Sequence, residues 1–325
     1  MNDLVSIIIT SYNHAEYLKQ RMESLLLQTY SPIEIIVIDD GSIDVSVKVL
    51  DDYKITPNVE IIALDKNNGY ANACNLGVSL CRGEYVMFAE CDDYNEPDHI
   101  EILMRSLIWN KTAGVAYCRS SMVDSHGHIF RNDFQNREES FKALCYKDTL
   151  IPKDMMKKFL LISCVIPNMS AALIKKECFN VVGGFNTQYK ACADWDFWCR
   201  IAEHWDFFYV SKTLNFFRRH PTTVGNTFGF RTHTLEIFDI LYKNYSRMNL
   251  NYSEKLKFKA AIGTLWGMHI REHPSEWVKS FLSMWRQGLK YDQYIIINLL
   301  LWVGKGCYEK IVKRLFLPVS DKVVK

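Results

Sequence analysis

Residues Val5–Thr29 read VSIIITSYNHAEYLKQRMESLLLQT, and this stretch decides the fold. VSIIIT is a β-branched run of strand length. The residues after it place Leu18, Met22, Leu25 and Leu26 at i, i+4, i+7 and i+8, the spacing of one helix face. A strand therefore feeds a helix through a short polar loop, and the same grammar repeats. IEIIVID is a second strand ending in Asp39-Asp40-Gly41-Ser42, with VSVKVLDDY as a short helix behind it. VEIIAL is a third, followed by the loop KNNGY and the helix ANACNLGVSLC. EYVMFA is a fourth, and PDHIEILMRSLIW is a helix with Pro97 near its first turn. Strands apolar on both faces that alternate with helices imply an α/β fold, a mostly parallel sheet flanked by helices.

The alternation fades from about Asp124. DSHGHIFRNDFQNREES reads as an excursion from the sheet and KDMMKKFLL as a helix. The chain turns compact again in PNMSAALIKKECFNVVGGF and ADWDFWCRIAEHW. Beyond about Phe230 it is helical and aromatic, with Trp266, Trp277, Trp285 and Trp302, which predicts a second, helical region.

Composition narrows the partners. With 39 basic against 37 acidic residues in 325, the net charge of +2 recruits no nucleic acid. Ten cysteines without a C-x-x-C pair read as small buried hydrophobes in a reducing compartment. No basic region precedes the N-terminal apolar run, so no signal peptide is expected. The run YIIINLLLWV is shorter than the roughly twenty residues that cross a bilayer. The expected location is the cytoplasm. From Leu301 onward six Lys or Arg face two acids. Amphipathic basic helices of this kind suit the inner face of the plasma membrane, packing on the rest of the chain, or a dimer contact.

In an open α/β sheet, ligands bind beyond the carboxyl ends of the strands. Thr10, Ser11, Tyr12 and Asn13 follow the first strand, Asp39 and Asp40 the second, Asn67, Asn68 and Gly69 the third. Glu90, Asp92 and Asp93, in FAECDDYNEP, follow the fourth. A turn or helix cap explains any one such cluster, but four together form a polar crevice. Crowded carboxylates without a His-x-x-x-His or Cys pair suit Mg2+ or Mn2+, which are commonly shared with a substrate phosphate. The expected ligand is thus a diphosphate. Neither G-x-x-x-x-G-K-[ST] nor G-x-G-x-x-G occurs, which excludes a P-loop NTPase and argues against a dinucleotide dehydrogenase.

Five segments carry a likeness: VSIIITSYNHAEYL, IEIIVIDDGSID, KNNGYANACNLG, GEYVMFAECDD and ADWDFWCRIA. In this order, over roughly residues 4–225, the chain resembles the family 2 glycosyltransferases. The resemblance implies a GT-A, Rossmann-like nucleotide-sugar-binding fold. It implies a catalytic domain over 1–228, with a nucleotide-sugar half to about 120 and an acceptor half over 121–228, and a C-terminal helical region over 229–325. It also implies metal-dependent, inverting transfer from a nucleoside diphosphate sugar, UDP first, to a hydroxyl of a glycan or lipid-linked acceptor, as in bacterial surface-polysaccharide synthesis.

The same likeness distributes roles. Thr10 and Tyr12 line the nucleobase pocket, Asp40 accepts a hydrogen bond from a uracil-type base, and Asn68 and Gly69 lie at the nucleotide sugar. Asp92 falls near the ribose and, with Asp93, at the Mn2+ or Mg2+ ion. Glu90 stands where the family has Asp and, one methylene longer, is assigned no metal bond. Asp194 matches the general base, with Ala193 replacing the usual Glu; a helix N-cap is its other reading. Arg219 and His220 match an Arg-x-His stretch that contacts the diphosphate or closes a loop over it. Trp195 is an acceptor platform or a core residue. Two other readings stay open. A sugar-1-phosphate nucleotidyltransferase needs a Gly-rich basic loop that TSYNHAEY lacks. A catalytically silent nucleotide-sugar-binding or assembly protein would fit Glu90 and Ala193.

Overall fold

Ile7, Ile8 and Ile9 are wholly buried because the strand that carries them, β1 (Val5–Ser11), is covered on both faces. The computed structural model describes residues 3–132, 139–144, 146–220, 229–272 and 277–290. They fall into two units, Met1–Thr227 and Phe228–Lys325.

In the first unit β1 pairs in parallel with β2 (Ile33–Asp39), and β2 with β3 (Val59–Ala63); on its other side β1 pairs in parallel with β4 (Tyr85–Phe88). Helices α1 (Ala15–Leu26), α2 (Ser46–Asp51) and α3 (Tyr70–Leu80) follow the first three strands; β5 (Tyr94–Asn95) and α4 (His99–Trp109) follow β4. Then come β6 (Ala113–Val123), β7 (Ile129–Asn132), α5 (Glu139–Leu144), β8 (Thr149–Ile151) and α6 (Lys153–Leu160). The unit closes with β9 (Ala172–Lys175), α7 (Lys176–Val182), α8 (Ala193–Ile201) and β10 (Asp206–Arg218).

The sheet runs β3-β2-β1-β4-β9-β6-β10-β5, with β7 beside β6 and β8 beside β10. β9 is antiparallel to both β4 and β6, while β10 is parallel to β6. Two reversals restore direction, so β6 and β10 end on the same edge as β1–β4. The chain leaves β1 toward β2 on one side and returns to β4 on the other, which makes their carboxyl ends a topological switch point.

Leu18, Met22 and Leu25 share one buried cluster with Ile7, Ile9 and Val37. Leu26, expected on the same helix face, is 41% exposed, and the buried position belongs to Arg21. Leu26 closes the helix, whereas Arg21 is drawn inward by the charges of Asp93, Asp92 and Glu90. Among the described residues every cysteine is free; Cys145 and Cys307 lie outside them.

The second unit contains α9 (Gly229–Tyr245), α10 (Tyr252–Glu272) and α11 (Trp277–Leu289). Tyr245 stacks on Phe258 at 4.1 Å, and the buried Trp266 packs against Phe281 at 5.1 Å. α11 exposes Val278, Lys279, Trp285, Arg286 and Leu289. No described helix is long and apolar enough to cross a membrane. The run YIIINLLLWV, Trp302 and the basic stretch from Leu301 lie outside the described residues.

Candidate active site

The loops after β1, β2 and β3 are tied to one another. Asn13 adopts a left-handed backbone, φ 57°; its N–H donates to Ser42 Oγ at 2.9 Å and its Oδ1 accepts from Ile43 N–H at 2.8 Å. Asp40 is buried, and its two oxygens accept the N–H groups of Asn68 at 2.8 Å and Gly69 at 2.9 Å. Its carboxylate thus pins the Asn68–Gly69 loop to the end of β2. A side chain at Gly41 would come within 2.5 Å of the Lys66 carbonyl carbon, so the DDGS turn needs glycine there. Thr10 is half-buried in β1, and Tyr12 is exposed beyond it.

The acids after β4 are unequal. Asp92 Oδ2 lies 2.9 Å from His220 Nε2. Burial pushes the Asp92 carboxyl up, but the His220 hydrogen bond and the charges of His14 and His220 outweigh it and hold its pKa below the usual value. Asp93 behaves oppositely: burial, then the charge of Asp92, raises it to about 7. Its Oδ1 accepts the Arg218 N–H at 2.9 Å and its Oδ2 accepts the Asn168 amide. Glu90 Oε2 accepts the same Asn168 amide at 3.2 Å. Burial, followed by the charges of Asp93, Asp92 and Asp194, holds Glu90 well above the carboxylate range.

Two buried arginines stand behind them. Arg21, wholly buried, begins a relay of amides: Arg21 donates to Asn95 Oδ1, Asn95 to Asn215 Oδ1 at 2.9 Å, and Asn215 to Asn168 Oδ1 at 2.9 Å. Asn168 then donates to Glu90 and Asp93. Arg218 clasps the periphery, donating to the carbonyls of Asp92 at 2.7 Å, Asp124 at 3.0 Å and Ser125 at 2.9 Å, and to Gln20 Oε1 at 2.6 Å.

At the switch point His14, Asp92 and His220 offer ligand atoms within 4.8 Å of one another. The His14 and His220 rings meet edge-on at 5.2 Å. His14 Nδ1 lies 3.4 Å from Cys91 Sγ, while its Nε2 is buried without a partner. A charged carboxylate beside an unpartnered imidazole nitrogen fits a divalent cation. Asp93, expected beside that ion, lies outside the trio because its oxygens face Arg218 and Asn168.

Asp194 lies in the first turn of α8, whose N-cap is Cys192, and its Oδ1 accepts the Trp195 N–H at 2.8 Å. Its charge contributes to raising Glu90 and Tyr70, which sets it in their neighbourhood. Trp195 is half-buried, its indole N–H donating to the Leu160 carbonyl at 2.9 Å. Arg219 points outward from the end of β10, its guanidinium 4.4 Å from the Phe217 ring. Sequence reasoning misses Arg21, Asn168, Arg218 and His14. The one local signal is a charge at Arg21 on an otherwise apolar helix face.

Comparison with known proteins accords with this geometry. Residues 6–183 match the model of glycosyl transferase family 2. The chain is 28% identical to the Escherichia coli chondroitin synthase over 214 residues, covering 64% of this chain and 28% of that protein. It is 32% identical to the glycosyltransferase GlyG of Streptococcus pneumoniae over 183 residues, 56% of this chain and 60% of GlyG. It thus spans less than two thirds of either relative. An uncharacterized glycosyltransferase of Haemophilus influenzae aligns at 24% identity over 92% of this chain and 90% of its own. The S. aureus TarS 1–349 structure in complex with UDP-GlcNAc shares the fold, with a TM-score of 0.66, 14% identity and coverage of 99% and 94% of the two chains. The mannosyltransferase PcManGT of Pyrobaculum calidifontis, in complex with GDP-Man and Mn2+, shares it at 0.56, with 14% identity over 97% and 88%. The family match spans more than half of the chain and includes the clasped loops and the acid turn, so the protein belongs to the family 2 glycosyltransferases and is built on the GT-A fold.

Proposed function

We propose that the protein transfers a sugar from a nucleoside diphosphate, UDP first, to a hydroxyl of a glycan or lipid-linked acceptor, with inversion and with a divalent cation, Mn2+ or Mg2+. The observation that carries this reading is the meeting of two separate carboxylates in one crevice. Asp92 lies at the switch point, and Asp194 enters from α8 close enough to act on Glu90. The relatives support it: chondroitin synthases are sugar-polymerising enzymes by name, and the TarS and PcManGT complexes hold nucleotide sugars.

Asp92 and His220 hold the cation in this reading, and when bound it neutralises the negative charge that grows on the leaving diphosphate. Asp194 takes the proton from the acceptor hydroxyl, a role typically contributing about 10²–10⁴-fold. With that base opposite the departing diphosphate, direct displacement inverts the anomeric carbon. Thr10 and Tyr12 border the nucleobase, and the Asn68–Gly69 loop, pinned by Asp40, forms a wall. Asp93, held by Arg218 and Asn168, positions Asp92. Arg219 and His220, at the end of β10, address the diphosphate side. Residues 1–228 supply this machinery in our reading, and 229–325 serve the acceptor at the inner face of the plasma membrane.

Nucleoside diphosphate release from a panel of UDP- and GDP-sugars with glycan and lipid-linked acceptors, with Mn2+, with Mg2+ and after chelation, tests the proposal. Metal-dependent release with transfer supports it. Binding of nucleotide sugars with no turnover under any condition replaces it with the silent binding protein.

A further inference from the structure

We propose that His14 is a third protein ligand of the cation site, so that the protein takes up a transition-metal dication before any nucleotide arrives and discriminates against Mg2+. The inference rests on the metal-dependent reading above and deepens it. His14 comes from the loop after β1, Asp92 from the turn after β4 and His220 from the end of β10, and the fold brings their ligand atoms within 4.8 Å. Only Asp92 and His220 satisfy each other, at 2.9 Å. His14 Nε2 is left buried and bare, a deficit that a bound cation would remove.

The other ring nitrogen shows how His14 is prepared. Nδ1 faces the Cys91 sulfur at 3.4 Å. With the sulfur as acceptor from Nδ1–H, the lone pair falls on Nε2, the arrangement by which an outer partner sets the tautomer of a metal-binding histidine. Asn13 fixes the loop itself, through the bonds of its main chain and side chain to Ser42 and Ile43.

The donor set then decides the ion. Mg2+ is bound reluctantly by nitrogen, keeps its water, and is usually held by one or two carboxylates plus substrate phosphate. Two imidazoles and one carboxylate suit first-row transition ions, and three protein ligands hold such an ion without a nucleotide's help.

The test is Mn2+ titration of nucleotide-free protein, followed by the loss of the free-ion electron paramagnetic resonance signal, with spin-echo detection of nitrogen coordination. Wild-type protein is expected to bind Mn2+ with nitrogen modulation, and an excess of Mg2+ should leave it bound. His14→Phe, which keeps a ring against Tyr17, and His14→Gln should each weaken binding about tenfold or more. Thermal unfolding in chelator establishes that both variants fold; if neither does, the wild-type spin echo decides, two imidazole couplings supporting the inference and a single one, from His220 alone, overturning it. Equal affinity in folded variants, absent nitrogen modulation, or displacement by equimolar Mg2+ overturns the inference. Mn2+ binding that requires UDP and ignores His14 overturns it while leaving metal-dependent transfer standing. Absence of Mn2+ binding even with UDP removes both.

Discussion

Asp93 accepts the main-chain N–H of Arg218 at 2.9 Å, a bond between residues 125 positions apart. It joins the turn after β4 to the end of β10 and thereby delivers His220 to Asp92. Asp93 is thus a fastener beneath the cluster of His14, Asp92 and His220, whose assembly depends on that fastening.

Asp194→Asn should lower transfer about 10²–10⁴-fold while leaving nucleotide-sugar affinity within about twofold. Product formation at saturating donor, with donor binding measured by calorimetry, checks both halves. Transfer at the wild-type rate would remove Asp194 from the chemistry.

Arg21→Met keeps the length of the side chain and deletes the buried positive charge facing Glu90, Asp92 and Asp93. Stripping one partner from a buried charge group typically costs about 3–5 kcal/mol. Urea unfolding should show a loss of that size, and a loss under about 1 kcal/mol would mean that the amides alone compensate the acids.

Acid should weaken the fold through His99. It is wholly buried, and burial reinforced by the Arg21 charge holds its pKa down at about 3, against 6.5 for an ordinary histidine. Between those values the unfolded chain binds a proton that the folded chain refuses, so stability is lost as pH falls through this window, by up to about 1.4 kcal/mol per unit. His99→Leu should flatten that part of the stability curve. Identical slopes in the two proteins would show that His99 is not the titrating group.

Asp40→Asn retains one acceptor and forfeits the charge that holds the Asn68 and Gly69 N–H groups. A cost of about 1–3 kcal/mol in stability is expected. Because this loop is a wall of the crevice in our proposal, donor KM should rise more than kcat falls. A pure kcat defect would argue that Asp40 acts on the reacting atoms.

The strand–helix alternation of the first 110 or so residues is legible in the sequence because period and polarity declare themselves within a dozen positions. The placement of β9 between β4 and β6 is not, since it depends on pairing among segments far apart in the chain. The site divides the same way. Asp92 and Asp194 announce themselves as acids at strand ends and after a motif, whereas the Asp92–His220 contact spans 128 positions. In FFRRHP the adjacent arginines look equivalent. Burial alternates from the last residue of β10 into the two beyond it, Arg218 and His220 inward and Arg219 outward, so the buried clasp is Arg218 rather than its neighbour.

The amide relay has a direction: every carbonyl faces Arg21 and every NH2 faces the acids. Like a row of aligned small magnets, it carries positive character from the interior of α1 out to the carboxylates. Their mutual repulsion is therefore answered by the scaffold before any ligand comes. If transfer is metal-dependent as proposed, architecture and catalysis should come apart under chelation, the fold standing while turnover stops.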